Sequence, residues 1–281
     1  MAVAPRTLTS LLSLVTSPSL SDVEYVVGGV ELSDRDRETA AFLVADKAMQ
    51  VACGPSPVLD RWRRRRDGGP PEQGSPREAV KTFVGIGFGN PAKPPNVDHL
   101  QGHVAELMWN LLIAERQVAS DGRQLVRAHS VKADPLEPGG DGLVIYLNPN
   151  DILVFRLWEI KKHDAQRGVS ATINRASKQL ALRGHEYLAK LAAPETIADD
   201  DLGMLYGVMV DLWFDRSERA GVGVAIGTSD THAPPSARSF ASIRRAFPSF
   251  LRSDQTEAIV LAIPDYPAFA ERVKDIVWSG L

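Results

Sequence analysis

The chain has 281 residues and carries 32 Lys and Arg against 35 Asp and Glu, a formal net charge of -3. With 44% hydrophobic and 24% charged residues, it has the make-up of an ordinary globular protein, which excludes a collagen-like, wholly disordered or polytopic membrane chain. A slightly negative molecule has no global field to draw it to nucleic acid, so a polyanionic partner must meet a local basic surface.

The single cysteine, Cys53, excludes an intrachain disulfide and a multi-thiolate zinc site, and it favours a reducing, cytoplasmic compartment. No run approaches the ~18 consecutive apolar residues of a spanning helix, so no membrane partner is expected. Residues 8–15 are apolar but interrupted by Thr9, Ser10 and Ser13, and they suit an amphipathic N-terminal element better than a secretory leader.

In chain order, a strand is expected at 25–27, ended by Gly28 and Gly29. A helix follows, with Ser33 as N-cap and Asp34, Asp36 and Glu38 in its first turn, where the helix dipole favours acids. Residues 54–73 turn to Pro, Gly and charge around the run Arg61-Trp62-Arg63-Arg64-Arg65-Arg66, which predicts an exposed loop or linker. In a nucleic-acid enzyme such a run could hold phosphates, with Trp62 stacking on a base. A strand is expected at 82–88, where Gly85, Gly87 and Gly89 suit a glycine-rich strand end. They do not make a dinucleotide loop, because prolines follow where a helix would have to open.

From 97 onward the pattern alternates. A helix is predicted over 97–117, strands at 124–131, 142–147 and 152–161, and a long helix over 170–191. A helix at 201–214, a strand at 222–226, a short helix at 239–247, a strand at 258–263 and a closing helix at 268–278 complete the order. Helix, three strands, helix, strand is the order of an α/β fold with a mixed central sheet flanked by helices. The expected division is an N-terminal accessory region at 1–96, with its basic Pro/Gly-rich loop at 54–78, and a main domain at 97–281.

Asn148-Pro149-Asn150-Asp151 is a turn between two apolar strands. Reflection about its centre sets Asp141 opposite position 158, next to Glu159. Glu159 and Lys161, two apart on a strand, point to one face. Asp141, Glu159 and Lys161 are therefore expected to cluster. Two acids and a lysine buried together cost several kcal/mol unless they pair or bind a cation, and carboxylate oxygens suit Mg²⁺ or Mn²⁺. On the preceding helix, His99, His103, Glu106 and Asn110 share one edge, from which Glu106 could join as a third metal ligand.

This arrangement resembles the PD-(D/E)xK nuclease superfamily, whose pattern is matched by Glu106, Asp141-Gly142, Glu159-Ile160-Lys161 and the helix that follows. The resemblance implies a restriction-endonuclease-like core and metal-dependent hydrolysis of nucleic-acid phosphodiesters, with DNA as the expected substrate. It implies metal-binding roles for Asp141 and Glu159 and an assisting role in cleavage for Lys161. Gly140 stands in place of the motif's Pro, a proline that is often missing in the superfamily. The Gln and Tyr that many members carry on the next helix have no close match, since Gln179 and Tyr187 are eight apart. Size and layout are further similar to the nuclease subunits of Hachiman anti-phage defence, which implies a helicase partner.

Lys162, Arg167, Arg175 and Lys178 extend a basic stretch from the E-x-K strand onto that helix and are the expected nucleic-acid-binding residues. Two rival readings stand beside this one: a non-catalytic nucleic-acid-binding or assembly subunit on the same scaffold, and a zinc hydrolase built on His99, His103 and Glu106.

Overall fold

The computed structural model describes residues 6–17, 23–136, 140–163, 168–197, 200–233 and 238–281. In chain order its elements are α1 (Leu8–Leu12), β1 (Val15–Ser17), β2 (Glu24–Gly28), α2 (Asp34–Cys53), α3 (Pro57–Arg66), α4 (Gly74–Phe88) and α5 (Val97–Glu115). There follow β3 (Gln124–Ala128), β4 (Gly142–Leu147), β5 (Leu153–Lys162), α6 (Val169–Ala192), α7 (Asp201–Phe214), β6 (Ala220–Ser229), α8 (Ala241–Ala246), β7 (Thr256–Ile263) and α9 (Tyr266–Ser279).

The strands form one mixed seven-stranded sheet in the order β1-β2-β7-β6-β5-β4-β3. β2, β7, β6 and β5 are mutually parallel, while β1, β4 and β3 each run antiparallel to their neighbours. Strand period 2 sorts the core into two layers. Val144, Tyr146, Trp158, Ile160 and Ile259 pack against α1 to α5 and α9, whereas Leu143, Ile145, Leu157, Val224 and Val260 pack against α6, α7 and α8. Residues before 97 share this sheet and the first of these layers: β2 pairs with β7, and α2 packs on α9. Among the described residues no helix is long and apolar enough to cross a membrane.

Two expectations before residue 97 are corrected. The basic run expected as an exposed loop within 54–78 is the helix α3, started by Pro57 in its first turn, where a missing N–H costs nothing. Its charge is absorbed locally: Arg63 Nη2 lies 2.6 Å and Arg66 Nη1 2.8 Å from the carboxylate of Asp46 on α2. Arg66 also stacks over Phe42 and Trp62. Trp62 offers nothing to a base, because it is fully buried and its Nε1 donates to Val277 O at 2.8 Å.

The strand expected at 82–88 is the end of helix α4. Val84, Ile86 and Phe88 alternate like a strand, but Val80, Val84, Gly87 and Phe88 are the buried face at helical spacing. Gly87 sits in close approach there, since a Cβ would stand 3.0 Å from Ala133 O and 3.1 Å from His103 Nε2.

Candidate active site

The turn between β4 and β5 is one residue longer than the reflection assumed. Asn148 N donates to Ile152 O, Asn148 Oδ1 accepts from the amides of Asn150 and Ile152, and Asp151 takes the left-handed region at φ 57°. Gly142 therefore pairs with Trp158, and the residue before it, Asp141, comes level with Glu159. Gly142 has no alternative at that place, as a Cβ would stand 2.1 Å from Trp109 Cη2. Gly140 is similarly hemmed in, a Cβ there lying 2.9 Å from Tyr187 Cβ, so a proline ring in its place would meet the α6 helix.

Asp141, Glu159 and Lys161 come together at the carboxyl end of β5. Asp141 Oδ2 accepts from the Ile160 amide at 2.8 Å and lies 3.5 Å from Lys161 Nζ, while that ammonium also lies against Glu159 Oε1. Glu159 is wholly buried, and neither of its oxygens receives a well-aligned hydrogen bond. Burial first, and then the charge of Asp141, push the Glu159 carboxyl up to about 8, with Lys161 offsetting only part of this. Burial works against the Lys161 ammonium, but Asp141 and Glu159 outweigh it and the net shift is upward.

Glu106 approaches from the opposite layer. It stands half-buried on α5, while Glu159 and Lys161 share the parity of Leu157 and face α6. Burial and then Asp141 raise the Glu106 carboxyl to about 8, with Lys161 and Lys132 opposing and Glu159 adding to the rise. The four groups thus feel one another's charge at the end of the sheet. Among the described residues, however, no three His, Cys, Asp and Glu side chains already form a metal cage.

The donor set nonetheless fits a hard divalent cation. Glu159 presents two buried, poorly satisfied oxygens, and burial together with the charge of Asp141 raises the proton affinity of Glu159 and Glu106, a strain that a doubly positive ion relieves. The histidine edge of α5 does not make such a site. His99 is exposed, whereas His103 is buried against Phe88, and burial holds its imidazole down to about 4.

Of the basic residues expected to meet nucleic acid, Lys162 is tied to Asp98 Oδ1 at 2.5 Å, Arg175 and Lys178 are exposed on α6, and Arg167 lies outside the described residues. Sequence reasoning passed over a second group on that helix. Gln179 Nε2 donates to the Tyr187 hydroxyl at 2.9 Å, and the Arg183 guanidinium lies 5.4 Å from the centre of the Tyr187 ring. Eight residues is two helical turns and more, and the long amide bridges it. The signal was the spacing of 179, 183 and 187 at i, i+4 and i+8, which sets all three on one flank of the helix.

No family model, no curated protein and no solved structure matches this chain.

Proposed function

We propose that the chain is a metal-dependent nuclease whose restriction-endonuclease-like core is built from α5, β3, β4, β5, α6 and β6. The observation that carries this reading is the meeting of Asp141, Glu159 and Lys161 at the end of a buried strand, where the Lys161 ammonium lies against both acids. Such a cluster is costly to fold and is retained where it does chemistry.

Asp141 and Glu159 would hold Mg²⁺ or Mn²⁺, with Glu106 available from the other layer. Once bound, the ion supplies an acidified water and offsets charge on the phosphoryl group. Asp141 is held in place by the Ile160 amide, so its carboxylate is oriented before substrate arrives. Lys161, partly exposed between the two acids, can direct a proton-bearing donor at the attacking water or at the phosphoryl oxygens. The substrate we infer is DNA, delivered by a helicase in an anti-phage defence setting.

The test is cleavage of plasmid, single-stranded DNA and RNA by the purified chain, alone and with its helicase, with Mg²⁺ or Mn²⁺ and with chelator. Metal-dependent cleavage that disappears in Glu159→Gln supports the reading. Cleavage unaffected by that change assigns the activity elsewhere, and complete inactivity on all three substrates leaves the nucleic-acid-binding scaffold as the better account.

A further inference from the structure

Away from the acidic cluster, α6 and α8 enclose an open groove of about 620 Å³ lined by Asn174, Lys178, Leu182, Ser242 and Arg245, with Ala181 and Ala246. No acid lines it. Lys178 and Arg245 are exposed, and neither has an acidic partner among the described residues. Ser242 is buried in the wall with no hydrogen-bond partner for its hydroxyl among the described residues, and Leu182 is 72% exposed beside it. Several described cations behave otherwise: Arg63, Arg66, Arg123, Arg127, Arg156 and Lys162 are all paired with carboxylates.

At roughly 100° per residue, Asn174, Lys178 and Leu182 form one flank of α6, Arg175 stands on its exposed crest, and Gln179 and Arg183 occupy the flank beyond. Arg183 is near enough to Glu159 to feel its charge. The basic side chains thus run across the helix from the groove toward the acidic cluster. A helix is ~10–12 Å across, a width that a short single-stranded segment spans.

We propose that this groove is a second nucleic-acid subsite, taking a single-stranded segment that lies beyond the phosphodiester at the acidic cluster. Lys178 and Arg245 hold its phosphates, Asn174 offers a neutral donor, and Leu182 with the two alanines supports the sugars. Alternating charge and apolar contact is what a single strand presents and needs. An acidic peptide would satisfy the two cations as well, but it would not account for the basic crest leading to the cluster. The proposal rests on the nuclease reading for its direction along the strand, though not for binding itself.

The experiment is fluorescence anisotropy of a labelled single-stranded oligonucleotide against the full chain in chelator, over a salt series. It uses the parent, the double variant Lys178→Gln with Arg245→Gln, and Arg64→Gln as a control for net charge on a distant helix. The double variant should bind at least several-fold more weakly. Its slope of log affinity against log salt should flatten by about 0.7 for each phosphate contact removed, and the control should match the parent. Parent-like affinity and slope in the double variant would overturn the groove and leave it to an acidic protein segment, and a parent that binds no oligonucleotide would overturn it equally. The parent's own cleavage with Mg²⁺ or Mn²⁺ separates the two proposals: binding through the groove by a parent that never cleaves sinks the nuclease reading alone, whereas cleavage with an idle groove sinks only the subsite.

Discussion

The backbone amide of Ile160 donates to Asp141 Oδ2 at 2.8 Å, so the first acid of the cluster is fixed by the same strand that carries the second. Replacing Asp141 with Asn keeps an oxygen acceptor for that amide but removes the charge. Asp141→Asn should therefore lose cleavage by orders of magnitude and keep the parent's urea midpoint. Asp141→Ala, which leaves the buried amide unpaired, should cost a further ~1–3 kcal/mol in the same denaturation series. Equal stability of the two variants would show that this bond does not support the fold.

Lys161→Ala should leave the two acids able to take a cation while removing the donor between them. The expected outcome is a fall in kcat larger than any rise in KM for DNA, read from single-turnover and steady-state cleavage under saturating Mn²⁺. A change confined to KM would make Lys161 a substrate-binding residue and nothing more.

The raised carboxyls make stability depend on pH in a fixed direction. Glu159 and Glu106 are pushed from 4.5 up to about 8 in the folded chain, so the native state holds protons that the unfolded chain has released. Their contribution is complete below about pH 4.5 and is lost as pH rises toward 8 and beyond. In chelator, Tm should be lower at alkaline than at mildly acidic pH, and Glu159→Gln should flatten that trend. Added Mg²⁺ or Mn²⁺ should restore Tm most at the alkaline end, where the carboxylates are free to bind it. A Tm that climbs steadily with pH in chelator contradicts the arrangement.

Trp62 is the bolt between the N-terminal helices and the end of the chain, donating to Val277 O and lying where a Cβ on Gly280 would come within 2.1 Å of its ring. Trp62→Ala should cost ~3–5 kcal/mol in chemical denaturation. Gly280→Ala should also destabilise, by overpacking the same contact. The amides of α3 should be protected in hydrogen exchange, and free exchange throughout that helix would contradict its packing.

Much of the sheet was legible, because β4, β5, β6 and β7 are short apolar runs bounded by turn residues, and because turn symmetry with strand period 2 brings Asp141, Glu159 and Lys161 together. The register missed by one residue, since nothing in Asn148-Pro149-Asn150-Asp151 announces that Asp151 adopts a left-handed conformation. The α3 run was illegible for a different reason. Five arginines in six residues look solvated until Asp46, eighteen positions from the middle of the run on another helix, is known to neutralise two of them. In α4, local alternation of apolar residues and glycines imitated a strand, and the buried face at Val80, Val84, Gly87 and Phe88 shows which period governs.

Both borders of the sheet are poor templates for further strands. β1 offers three residues, and β3 is broken by a register shift between Leu125 and Arg127 and carries Arg127 outward to an ion pair with Glu195. Main-chain groups on such short or kinked edges do not line up with an incoming extended segment. The chain is thereby shielded from adding copies of itself strand by strand into fibres. These described edges give a partner little to extend by main-chain pairing.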